Sequence, residues 1–169
     1  MNDLIGDQIS ATLPPEEPSI PGRVSFASQY PYMNGLHHLR LSIDRFNPPL
    51  SWAFVGIVSN ELRLMNSECS AYSNRSSFGW HLGRQSIIND RITSTKHDFD
   101  GRDTHQGDII NIKIDCDKSW IRLTNERTLY SHTISIDRHC CPLPWFFAVN
   151  INYGRKDFVR MLPRSDSVV

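Results

Sequence analysis

A two-residue period runs through most of the chain. Leu39, Leu41 and Ile43 alternate with His38, Arg40, Ser42 and Asp44, and Ile110, Ile112 and Ile114 alternate with Asn111, Lys113 and Asp115. Ile121 and Leu123 alternate with Trp120, Arg122 and Thr124; Phe147, Val149 and Ile151 alternate with Phe146, Ala148 and Asn150. Successive side chains of a strand point to opposite faces, so each segment predicts a strand with one face on a core. Trp52-Ala53-Phe54-Val55-Gly56-Ile57-Val58 is apolar throughout and predicts a central strand. Turn formers separate these runs at Asn47-Pro48-Pro49, Asp100-Gly101, Asp115-Cys116-Asp117-Lys118 and Tyr153-Gly154. No stretch of ten residues keeps a 3.6-residue period with caps. Short strands at this spacing predict an all-β, antiparallel sandwich or barrel.

Composition divides the chain. Residues 1–22 hold Asp3, Asp7, Glu16 and Glu17, no base, and four of the ten prolines, which predicts an acidic, proline-rich tail or linker. The 169-residue chain has 18 bases and 18 acids, so residues 23–169 carry 18 bases against 14 acids. A body of this size is one domain, expected over 23–162 with a short tail at 163–169. Fourteen of the bases are arginine, whose planar fork suits interfaces. Overall neutrality, and no basic stripe following one face, argue against nucleic acid as a partner. No apolar run is long enough to span a bilayer, and MNDLIGDQIS lacks the regions of a signal peptide. Cys69, Cys116, Cys140 and Cys141 form no metal-binding spacing and read as reduced thiols in a cytoplasmic setting. The sequon at Asn74 has no secretion signal to serve.

Catalytic chemistry has little to stand on. The chain lacks a nucleophile elbow, a phosphate loop and a zinc-protease helix. The seven histidines read as surface or rim residues; His37 and His38 point to opposite faces of one strand and cannot share a metal. Asp98-Phe99-Asp100-Gly101-Arg102-Asp103 has its glycine too early for a calcium loop and reads as a solvated hairpin turn with Phe99 as a core plug. No enzyme, cofactor or metal is expected. Phe146 and Trp120 fall on the faces opposite the core positions, where they are either covered packing or an exposed ligand platform. The long 60–77 segment, with Arg63, Tyr72 and Arg75, has the length and residue types of a binding loop.

Five motifs, in order, resemble the SPRY family found in tripartite-motif and SPRY/SOCS-box proteins. They are Gly35-Leu36-His37-His38-Leu39-Arg40-Leu41, Phe54-Val55-Gly56-Ile57-Val58, Ser77-Phe78-Gly79-Trp80-His81-Leu82-Gly83, Gly107-Asp108-Ile109-Ile110-Asn111-Ile112-Lys113-Ile114-Asp115-Cys116-Asp117, and Leu143-Pro144-Trp145-Phe146-Phe147-Ala148-Val149. The fourth is the most specific. Asn111 stands where the family has glycine, and the Asn125-Glu126 hairpin lacks the family's glycine. The resemblance implies a bent antiparallel two-sheet β-sandwich of the concanavalin-like jelly-roll type, and a non-enzymatic module that binds a protein or peptide at a loop-rich edge. By the same resemblance Asn152, Tyr153 and Gly154 fall at a family pocket. With Arg155, the 60–77 loop and Ser28-Gln29-Tyr30-Pro31-Tyr32, they make up the expected partner surface. Without RING, B-box or SOCS-box segments in this sequence, ubiquitin-ligase machinery would be a partner only within a larger assembly. The rival expectation is a lectin-like binder of carbohydrate or another small ligand, stacking it on Trp120 or Phe146.

Overall fold

A computed structural model describes residues 23–46, 52–59, 76–89, 92–94, 99–152 and 158–163. Eleven strands follow in chain order: β1 (Arg23–Ala27), β2 (Leu36–Arg45), β3 (Ala53–Ser59), β4 (Ser77–Leu82), β5 (Ser86–Asn89), β6 (Ile92–Ser94), β7 (Ile109–Asp115), β8 (Trp120–Asn125), β9 (Ser131–Ser135), β10 (Trp145–Asn152) and β11 (Phe158–Leu162). They form a six-stranded sheet, β1-β10-β3-β4-β5-β6, and a five-stranded sheet, β11-β2-β7-β8-β9, each with antiparallel neighbours. The fold is a two-sheet antiparallel sandwich.

The period-two pattern sets what lies between the sheets. The five-stranded sheet contributes Leu41, Ile43, Ile110, Ile112, Ile114, Ile121 and Leu123, while the six-stranded sheet contributes Val55, Ile57, Phe78, Trp80, Trp145 and Phe147. All are buried, and each large side chain adds roughly 1.5–3 kcal/mol of transfer free energy. Trp80 places its indole N–H on His132 Nδ1 at 2.9 Å, which satisfies the polar edge of a ring otherwise inside the core.

The six-stranded sheet is covered on its outer face as well. Trp52, Phe54, Val58, Ile88, Phe146 and Ala148 form a second buried cluster there. Gly56 and Gly79 are cross-strand partners in the middle of this face. A Cβ on Gly56 would lie 2.1 Å from the Phe78 carbonyl oxygen, and one on Gly79 would lie 2.3 Å from that of Val55. The Phe54 ring fills the space that the two missing side chains leave, so glycine here is a packing requirement.

Two expectations change. The Gly101–Asp103 segment is a 3-10 turn and not a hairpin. Its backbone is tied to the β4–β5 turn by Gly83 N–H to Gly101 O (2.7 Å) and Gly101 N–H to Arg84 O (3.0 Å). Gly101 is buried, and a side chain there would meet the His81 and Arg84 carbonyls; Phe99 does plug the core, and Asp98 lies outside the described residues. His81 is not a rim histidine: it is buried on the outer face of β4 beside Trp52 and Phe54. The sequence showed a polar residue in an apolar strand, and the sheet's second cover encloses it.

Candidate functional site

β10 supplies a ruler for the whole sandwich. Its first residue, Trp145, pairs with Ser59 at the end of β3, and its residue Ile151 pairs with Ala53 at the start of β3. At about 3.3 Å per residue, Trp145 and Asn152 stand about 23 Å apart. The loops therefore sort into two ends. The Trp145 end carries residues 28–35, the 116–119 turn, residues 136–144 and the anchors Ser59 and Ser76. The Asn152 end carries the β4–β5 turn, residues 99–108, the β8–β9 hairpin and the start of β11.

The Trp145 end presents apolar side chains on a fixed backbone. Tyr30 and Met33 are each 59% exposed and Leu36 is 47% exposed. Only Leu129 joins them as an exposed large hydrophobic among the described residues, and it lies at the other end. Ser28 locks the start of the segment: its N–H donates to Phe147 O (2.8 Å), and its hydroxyl accepts from Phe147 N–H (3.1 Å) and donates to Tyr30 O (2.9 Å). Tyr32 and Trp145 exchange backbone hydrogen bonds of 2.7 and 2.9 Å. The half-buried Tyr32 ring packs on the core and leans on His37 with centroids 4.5 Å apart. Gly35, at φ +72°, turns the chain into β2; its N–H donates to Asp117 Oδ1 and its carbonyl accepts from Cys116 N–H. Tyr30, Met33 and Leu36 thus stand exposed along one short segment, called the shelf below, whose backbone is held at both ends.

The polar groups at the Asn152 end are engaged with one another. Asp108, buried, accepts from Arg127 Nε (2.6 Å), Asn125 Nδ2 (2.7 Å) and the His105 N–H (3.0 Å). Burial pushes this carboxyl up, but the Arg127, His105 and Asn125 hydrogen bonds together outweigh it and hold the group below its ordinary value. Asn125 Oδ1 in turn accepts from the Arg127 and Thr128 amides and shapes the hairpin. Leu129 takes the left-handed conformation (φ 59°) that a glycine would otherwise supply. Asp108 is a staple between the β8–β9 hairpin and the β7 approach, with its acceptor sites filled. Beside it a cleft of about 180 Å³ runs over Leu82, Phe99, Ile110 and Leu123 to a rim at Asp100 and Asp103.

Two buried groups of nucleophile or base type are shifted away from that chemistry. Burial, helped by Asp117, pushes the Cys116 thiol up to about 11, away from the reactive thiolate. Burial, with the Arg84 charge adding, lowers His81 to about 4. Cys116, Cys140 and Cys141 are free thiols, and no group of three potential metal ligands converges among the described residues.

The expected partner surface divides along the ruler. Tyr30 and Tyr32 lie at the Trp145 end, and the 60–77 loop is anchored there, with Ser59 N–H on Ser76 O at 3.3 Å. Asn152 lies at the opposite end, paired with Arg23. Arg63, Tyr72, Arg75, Tyr153, Gly154 and Arg155 lie outside the described residues. Met33 and Leu36 were missed. Leu36 carried a signal, because it is a leucine in the polar phase of β2, in step with His38 and Arg40. On the sheet faces, Phe146 is buried at 3% exposure and so is packing and no ligand platform. Trp120 is half-buried with the Arg122 guanidinium 5.2 Å from its ring.

No protein-family model matches the sequence, and no curated protein is significantly similar to it. Solved structures do match its fold. The SPRY domain of human HERC1 superposes with a TM-score of 0.64 at 12% identity, over 85% of this chain and 84% of that one. A human SPRY domain gives 0.59 at 17% identity, over 85% and 86%. The TRIM65 PSpry domain gives 0.53 at 8% identity, over 82% and 70%. The chain therefore shares the two-sheet fold of SPRY domains.

Proposed function

We infer that this chain is a non-enzymatic protein-interaction domain that holds a protein or peptide partner at the Trp145 end of its sandwich. The observation that carries this reading is the shelf of Tyr30, Met33 and Leu36: exposed apolar side chains on a backbone fixed by Ser28, Trp145, Asp117 and Cys116. A fixed backbone lowers the ordering cost of binding, and exposed Tyr and Met side chains supply contact area. The similarity to SPRY domains supports the same reading. Arg63, Tyr72 and Arg75, between Ser59 and Ser76 in the sequence, are further candidates for partner contact. Tyr153, Gly154 and Arg155, which follow β10 in the sequence, are candidates for a second, separable contact. The carbohydrate reading loses support from Phe146, whose ring is buried.

Affinity capture tests this with wild type, a Tyr30→Ala/Met33→Ser double variant and Tyr153→Ala compared side by side, each with a melting scan. A partner retained by wild type and lost by the double variant, with unchanged melting, is the expected result. A partner lost only with Tyr153→Ala moves the site to the Asn152 end. Equal retention by all three proteins overturns the docking surface.

A further inference from the structure

The outer face of the five-stranded sheet carries a feature distinct from the apolar shelf. The registers place His38 of β2 opposite Lys113 of β7, Lys113 opposite Arg122 of β8, and Arg122 opposite Thr133 of β9. These residues share the outer phase of their strands, in step with the half-buried or exposed positions of each. Like charges directly opposite on a sheet are destabilising, so the Lys113–Arg122 pair works against the fold.

No described carboxylate makes an ion pair with Lys113 or Arg122. Glu126 is engaged by the Arg40 fork at 2.9 and 3.0 Å and by Asn111 Nδ2 at 2.6 Å. Asp44 pairs with Arg160 at 3.0 Å. Asp115, buried in the adjacent row, accepts the Lys118 N–H at 2.8 Å. Arg122 is also held in place: its Nε donates to Thr133 Oγ1 at 2.9 Å, and the Trp120 ring lies 5.2 Å from its guanidinium carbon. That leaves its terminal nitrogens with no acceptor among the described residues, on a fork whose orientation is set.

We propose that this row is an acceptor site for an acidic segment of a protein partner, with a carboxylate received by the Arg122 fork and the Lys113 ammonium. A positioned guanidinium is matched to a planar carboxylate. Complementary charge is the argument for the occupant, since the carboxylates of this face pair with Arg40 and Arg160 or lie in the next row, and none makes an ion pair with Lys113 or Arg122. Two lysine and arginine side chains are too few for a nucleic-acid backbone, whose affinity grows with each phosphate neutralised.

The test is titration of the full chain with an end-blocked hexaglutamate peptide at low salt, followed by fluorescence anisotropy. Hexaserine and hexathymidylate serve as comparison ligands. Saturable hexaglutamate binding is expected, weakened about tenfold by Arg122→Gln and by Lys113→Gln. Arg160→Gln, which removes a cation already paired with Asp44, should leave it unchanged. Lys113→Gln should also melt no lower than wild type, since it relieves the repulsion. Three results overturn the proposal: no saturable binding, equal weakening by Arg160→Gln, or tighter binding of hexathymidylate than of hexaglutamate.

Discussion

The two sheets of this sandwich use the same backbone pattern for different ends. The six-stranded sheet is buried on both faces along β3 and β4, which have no exposed residue, and along residues 145–151 of β10. The five-stranded sheet is buried on one face and keeps a polar, charged outer face, with the alternation visible in β7, β8 and β9. A doubly covered sheet fixes residue size at every position. A singly covered sheet leaves every second position open to function. The difference predicts that substitutions on the first sheet read out as folding, and those on the outer face of the second read out as binding.

The largest effect should come from the glycine pair under Phe54. Gly79→Ala puts a Cβ 2.3 Å from the Val55 carbonyl and 2.7 Å from Gly56 Cα, neither of which can move without opening the sheet. We expect a loss of about 4 kcal/mol or more, read as the loss of cooperative melting. Ser135→Ala, exposed on the other sheet's outer face, should melt like wild type. Similar melting of both variants would erase the distinction between the sheets.

Next come two aromatics in equivalent phases. Phe146→Ala should cost about 3–4 kcal/mol, because the ring is buried in the second cluster. Trp120→Ala should cost about 1 kcal/mol, since that ring is half-buried and covered by one side chain. Chemical denaturation separates them, and a reversed order would mean that the outer face of the five-stranded sheet is the better packed.

His81 gives a titratable version of the same contrast. Its ordinary value is 6.5 and burial holds it at about 4, so above pH 6.5 it is neutral in both folded and unfolded chains. As the pH falls from 6.5 to 4, the unfolded chain takes up the proton first and stability drops, by about 3 kcal/mol in all. Below pH 4 this contribution levels off. Melting scans across that window should show a shallower fall for His81→Gln than for wild type. Parallel curves would place the acid sensitivity elsewhere.

Much of this was legible in the sequence. The alternation in residues 38–44, 110–115 and 120–124 marked the five-stranded sheet, and the apolar run at 52–58 marked its doubly covered partner. β9 was illegible because only Ile134 of Ser131–Ser135 is buried. The Asp108 staple was illegible for another reason: its partners lie at 105, 125 and 127 and meet only through the hairpin. The His38–Lys113–Arg122 row could not be seen along any one strand, because register across three strands creates it. Reading the strands one at a time therefore does not bring these three residues together. Of the proposed partner surface, Tyr30 and Tyr32 were singled out by residue type in a loop, while the Asn152 group was joined to them only by resemblance.

The central claim, that a partner docks on the shelf at the Trp145 end, is tested most directly by photo-crosslinking. A photoreactive amino acid is placed at Met33 in one protein and at Leu129 in another, both exposed positions but at opposite ends of the sandwich. The account predicts a discrete crosslinked partner from Met33 that is absent from Leu129. A partner crosslinked from Leu129 and not from Met33 would contradict it.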